Sequence, residues 1–116
     1  MKELSSATIG IDEGEDVLFS DYEDDGEMWS GSGPRERRIT IRFSRSFRAA
    51  PTVFATLSMW DVDQSTNARL DLATEDVTET GFDAVFRTWE DTRVARARVR
   101  WIAIGPVTGE DDWDVT

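Results

Sequence analysis

The chain has 116 residues, a length that suits one domain with a real core and leaves no room for two. It contains no Cys and no His, which excludes disulfide staples, thiolate metal sites, thiol catalysis and a Ser-His-Asp triad in cis, while carboxylate-only chemistry stays open. A formal net charge of −11 disfavours nonspecific binding to nucleic acid or to anionic lipid.

The charge is unevenly spread, and it suggests three segments. Residues 1–34 hold ten acids and one base and read as an acidic N-terminal arm and loop. Residues 35–105 hold ten acids and twelve bases and read as the folded body. Residues 106–116 hold four acids and no base and read as an acidic C-terminal tail carrying Trp113. Acidic ends of this kind are commonly solvated tails. Alternatively, the run Asp21-Tyr22-Glu23-Asp24-Asp25 packs against arginines of the same or a neighbouring chain. It lacks the spaced Asp/Asn and turn Gly of an EF-hand loop. No stretch approaches a membrane-spanning length, and no apolar signal core follows Met1-Lys2-Glu3. The expected location is therefore inside a cell, in a virion, or outside by a route without a cleaved signal.

The body reads as short strands split by turns. Arg37 to Phe43 alternates apolar and polar residues with period two. Thr52 to Trp60 does the same, with Val53, Ala55, Leu57 and Met59 on one face and Pro51 at the strand start. After a turn-rich stretch at 61–67, Arg69 to Ala73 turns Leu70 and Leu72 inward. Gly81 suits a turn, and Phe82, Ala84, Phe86 and Thr88 share a face of the next strand. The last strand, Arg93 to Ile104, puts Ala95, Ala97, Val99, Trp101 and Ala103 on one face. Val94, Arg96, Arg98, Arg100, Ile102 and Ile104 take the other. No segment holds a helical period beyond two turns. Five or six evenly spaced strands predict an antiparallel β-sandwich.

The ladder Arg96, Arg98, Arg100 needs neutralising, because three cations on one strand face repel. It reads as a charged edge strand, as a nucleic-acid surface that the net charge disfavours, or as a subunit interface answered by acids of another chain. The flanking Val94, Ile102 and Ile104 favour the interface.

The order Phe43-x-x-x-Phe47-x-x-x-Pro51-x-Val53, Leu57, Asp61-Val62-Asp63-Gln64-Ser65-x-Asn67-x-Arg69, Val77-x-x-x-Gly81-Phe82, Thr88-Trp89-x-x-Thr92-x-Val94 and Trp101-Ile102-Ala103-Ile104 resembles the H-type lectin domain. That is the module of snail agglutinins and of the discoidin C-terminal part. The resemblance covers residues 35–105 well and 10–34 loosely. It implies an all-β, six-stranded antiparallel sandwich that forms a homotrimer, with trimers pairing into hexamers in some members. It also implies galactose or N-acetylgalactosamine sites between subunits, a role in adhesion, no catalysis and no cofactor.

By the same resemblance, Arg69 matches the arginine that bonds sugar hydroxyls, a role its forked donors suit; otherwise it is a salt-bridging arginine. Trp89 matches the tryptophan that lies against the sugar, or else is a core residue at a strand end. Glu90 stands where the best-known members have His, which puts the N-acetyl preference in question. Ala95 replaces an aromatic wall. Ser32, in the loop Ser30-Gly31-Ser32-Gly33-Pro34, falls at the position of an acid given by the neighbouring protomer; the loop also reads as a linker. Glu13 or a residue near it takes the place of the cysteine that links trimers.

Two other functions fit the sequence. One is a trimeric adhesion or assembly component of a phage-like particle with vestigial sugar binding. The other is a carboxylate glycosidase using Asp61, Asp63, Glu90 or Asp91. Acids in polar turns are more often solvated caps, and no metal requirement is expected of Asp61 and Asp63.

Overall fold

A computed structural model describes residues 1–5 and 7–109. The acidic tail beyond, with Trp113, lies outside the described residues. The chain forms β1 (Ile9–Ser20), a single helical turn α1 (Glu27–Ser30), β2 (Arg35–Arg42), β3 (Thr52–Val62), β4 (Asp71–Glu75), β5 (Gly81–Thr88) and β6 (Val94–Pro106). All pairings are antiparallel. The strands make two three-stranded sheets, ordered β1-β6-β3 and β2-β5-β4.

The alternation read in the sequence builds the core between the sheets. Phe82, Ala84 and Phe86 of β5 are fully enclosed, as are Ala97, Val99 and Ala103 of β6. Phe43, Phe82 and Trp101 form an aromatic knot with ring centroids 5.5–5.9 Å apart, and Phe47 meets Phe43 edge-on at 5.1 Å. A second pair, Phe19 and Phe86, sits at 5.2 Å. Each such ring contributes about 1.5–3 kcal/mol of burial.

The segment expected to be an arm supplies a full strand. Residues 9–20 run along β6 in register from Ile9 opposite Pro106 to Ser20 opposite Arg96. Its acids conceal the pattern, because their charge faces β6 arginines and not water alone. Glu13 lies 3.2 Å from Arg100, and Glu15 lies 3.6 Å from Arg98. Arg96 pairs with Asp61 of β3 at 3.2 Å. The arginine ladder is thus answered by acids of its own chain.

Three one-residue bulges change which face side chains take. Against Val62 and Asp61 of β3, β6 carries Val94, Ala95 and Arg96, so Ala95 is extra. The Ala95 carbonyl then accepts the Asp21 and Tyr22 backbone N–H groups, at 2.7 and 3.2 Å. Val94 consequently enters the core and leaves the arginine face expected for it. In β3, Ser58 is extra, so Met59 stands opposite Arg98 and leaves the face of Val53, Ala55 and Leu57. In β1, Leu18 is extra, and both Leu18 and Phe19 are buried.

The outer face of the β2-β5-β4 sheet is an ionic lattice over a buried Val85. Arg38 bonds Glu75 at 2.9 Å and Asp83 at 3.0 Å, and Arg87 bonds Glu36 and Glu75, each at 2.9 Å. Thr40 Oγ1 also donates to Asp83, at 2.8 Å. The hydrogen bonds from Arg38 and Arg87 hold the Glu75 carboxyl below its ordinary range, and those from Thr40 and Arg38 do the same for Asp83. A carboxyl depressed in the folded state stabilises the fold above its unfolded pKa of about 4, and that contribution fades as pH falls through the folded value. Denaturant titrations should therefore show stability level from neutral pH to about pH 5, then declining below about pH 4. Glu75→Gln should flatten that acid limb; an unaltered limb would remove the lattice as its source.

Candidate functional site

The sugar-site residues read from the sequence lie on or beside one turn, residues 89–92, between β5 and β6. The turn closes through the Thr92 N–H donating to the Trp89 carbonyl at 3.4 Å. Glu90 holds a left-handed backbone, φ 59°, which costs a residue with a Cβ about 1–2 kcal/mol. Its carbonyl accepts two hydrogen bonds, from the Gly33 N–H at 2.9 Å and from Arg35 Nη2 at 3.2 Å. Those bonds hold the strained turn and set Ser32 beside it in the same chain.

Arg69 borders the other side of the turn. Two buried threonines hold its backbone: Thr92 Oγ1 accepts the Arg69 N–H at 3.2 Å, and Thr88 Oγ1 donates to the Arg69 carbonyl at 2.6 Å. Thr92 Oγ1 in turn donates to the Asn67 carbonyl. The Arg69 guanidinium contacts Asp91 Oδ1 at 2.6 Å through Nη1. Its Nε and Nη2 carry no hydrogen bond among the described residues, so donors remain for a ligand.

Trp89 is 40% exposed and walls a cleft of about 260 Å³, shared with Pro34, Arg35, Glu36, Arg87 and Thr88. Ser32, Glu90 and Asp91 are exposed. Beside the turn, Arg93 lies 4.2 Å over the Trp29 ring, donates to the Trp29 carbonyl at 2.8 Å and bonds Asp63 at 3.0 Å. The Ser65 hydroxyl and N–H also donate to Asp63, at 2.7 and 2.9 Å, and these bonds are the main cause of its lowered pKa. Asp63 is therefore spent on its own turn. Among the described residues, no group of three or more acids is placed to hold a metal ion.

The site also depends on a residue whose role the sequence did not show. Arg35 is buried, yet its side-chain hydrogen bonds all go to backbone carbonyls. Nε donates to Gly33 at 2.9 Å, and Nη1 donates to Glu27 at 3.3 Å and Met28 at 3.2 Å. Nη2 donates to Glu90 at 3.2 Å and Thr92 at 2.7 Å. Burial lowers its pKa, and only Glu27 opposes that effect. One planar fork thereby ties α1, the loop at Gly33 and the 89–92 turn together. A buried arginine without an acid partner leaves no mark in composition or period. The motif Thr88-Trp89-x-x-Thr92 did point to the two threonines.

Upstream, the buried Asp21 carboxylate accepts the Met28 N–H at 3.1 Å and Arg37 Nη2 at 3.0 Å. A Cβ at Gly26 would collide with that carboxylate, so the loop requires glycine there. Of the acidic run, Asp21 alone is buried against an arginine; residues 22–25 are exposed. Arg35→Ala should cost about 2–4 kcal/mol in chemical denaturation, because five carbonyls lose a charged donor. Arg35→Lys should recover only part, since an ammonium cannot span both loops.

The family model of the H-type lectin domain matches residues 38–104. A Fuscovulum blasticum protein named "ATP synthase subunits region ORF 7" is 48% identical over 109 residues, covering 94% of this chain and 95% of that one. A discoidin-1 polypeptide of Dictyostelium discoideum is 33% identical over 75 residues, covering 64% of this chain and 30% of its own. Among solved structures, recombinant discoidin II of the same organism superposes with a TM-score of 0.75 at 22% identity. That match covers 90% of this chain and 40% of discoidin II, and it concerns the fold. The chain thus spans less than half the length of either discoidin. The matched span contains β3, β4 and β5 whole, with most of β2 and β6, and so includes Arg69 and the 89–92 turn. The chain belongs to the H-type lectin domain family, a family of carbohydrate-binding domains.

Proposed function

We propose that this domain binds glycans of the galactose and N-acetylgalactosamine type, without catalysis, as a homotrimer with its sites at subunit boundaries. The observation that supports the reading is that Arg69 and Ser32 flank one tethered turn that carries Trp89 and Glu90. Arg69 offers unspent donors to hydroxyls, and Trp89 offers an apolar face to a pyranose ring. Glu90 and Ser32 supply acceptors at the rim. A site this shallow binds one sugar weakly, so several copies on one particle would act by avidity.

Trimer formation is supported by the outer face of the β1-β6-β3 sheet. Ile11 stands opposite Ile104, and Ile102 stands opposite Phe54, so four apolar side chains line adjoining rows. Phe54 and Ile11 are about two-thirds exposed. A continuous apolar patch of this kind marks an association surface. Arg96, Arg98 and Arg100 continue the same face, and in this reading they form its polar rim. Their partners within the chain leave each of them at least 40% exposed, free to meet a second acid.

Light scattering should give a mass three times that of the chain, or a multiple of it. A glycan array should show binding to galactose-type glycans that Arg69→Ala abolishes. Arg98→Glu should lower the mass without unfolding the protomer. A trimer that binds no glycan would favour the assembly-component reading, and a monomer at low and high salt would end the inter-subunit site.

A further inference from the structure

The arginines around the 89–92 turn are all engaged. Arg69 is matched by Asp91 at 2.6 Å, and Arg93 by Asp63 at 3.0 Å. Arg87 is matched by Glu36 and Glu75, each at 2.9 Å. Arg35 is turned inward onto backbone carbonyls. The Glu90 side chain has no hydrogen bond or ion pair among the described residues, and it is exposed; the exposed Glu27 of α1 likewise makes neither and acts on Arg35 through its charge alone. The turn therefore presents an uncommitted carboxylate, and Arg35 and Arg87, the two arginines that line the cleft walled by Trp89, are engaged by other partners.

That carboxylate does not swing on a loose loop. The Glu90 carbonyl is pinned by the Gly33 N–H and by Arg35 Nη2, at 2.9 and 3.2 Å. A chain with Gly at position 90 would adopt the left-handed backbone without strain, yet an acid occupies it. Its neighbour in the chain is the exposed indole of Trp89. An exposed carboxylate next in the chain to an accessible indole offers acceptors and a π face to an organic ammonium group, through charge pairing and cation–π attraction. It is a poor set for an acetamido carbonyl, which needs a donor where Glu90 offers only acceptors. It repels a sugar carboxylate or sulfate.

We infer that the site selects sugars bearing a free ammonium group, that is, hexosamines over their N-acetylated and acidic counterparts, with Glu90 as the specificity-determining residue. The inference rests on the carbohydrate reading above and narrows it.

The test titrates the full chain at pH 6, where the sugar amine is charged, and follows binding by NMR shift perturbation. The probes are galactosamine, galactose, N-acetylgalactosamine and galacturonate, with the corresponding gluco series. Galactosamine should bind about two- to fivefold more tightly than galactose, the range expected of an exposed charge pair. N-acetylgalactosamine should fall below galactosamine, and galacturonate should bind weakest. Added salt should shrink the galactosamine preference. Glu90→Gln, and separately Glu90→Gly, should bring the galactosamine-to-galactose ratio close to one.

N-acetylgalactosamine binding as tightly as galactosamine would overturn the inference and leave the lectin reading standing. A galactosamine preference that survives both substitutions would overturn it too. Binding of none of the sugars would overturn the carbohydrate reading and the inference with it.

Discussion

The loop end of this domain is organised around one guanidinium. Arg35 sits at the first residue of β2 and spreads its donors over the carbonyls of Glu27, Met28, Gly33, Glu90 and Thr92. Those five carbonyls come from α1, the loop after it and the turn before β6. Each is a terminal or turn carbonyl outside the sheet ladders, and unpaired burial would be costly for it. A fork of five donors satisfies them all, which no smaller side chain could do. The candidate site residues then inherit their positions from a side chain that is spent on backbone carbonyls.

The same economy of pairing governs the two sheet faces. On the β2-β5-β4 face, arginines and acids interlock and cover Val85, so the face is closed by its own charges. On the β1-β6-β3 face, the arginines are also answered within the chain, but Ile11, Phe54 and Ile104 are exposed and Ile102 is only half-buried. One face is thus finished and the other is not. The open edge between β3 and β4 adds a groove of about 330 Å³ lined in part by Trp60, Leu57, Leu70 and Leu72.

Much of the fold was legible because period two is a local signal. Phe82, Ala84 and Phe86 alternate with Asp83, Val85 and Arg87, and burial follows that alternation except at Val85, which its neighbours' arginines cover. The first strand was not legible. Its acids read as a solvated arm until Arg98 and Arg100 of a strand some eighty residues away stand opposite them. Val94 and Met59 were misplaced for another reason. A bulge inserts one residue into a ladder, and only the partner strand reveals where the count shifts.

The sequence by itself determined an all-β sandwich, its family and the residue types at the candidate site, since patterning and motif order are properties of the chain alone. It also determined what the domain lacks, since a chain without Cys or His cannot build thiolate or imidazole chemistry. The tertiary structure decided which arginine is spent on which partner: Arg69 on Asp91 with donors to spare, Arg35 on backbone, Arg96, Arg98 and Arg100 on acids of β3 and β1. Charge pairing over long sequence separation depends on distances of a few ångströms, and those exist only once the sheets have formed.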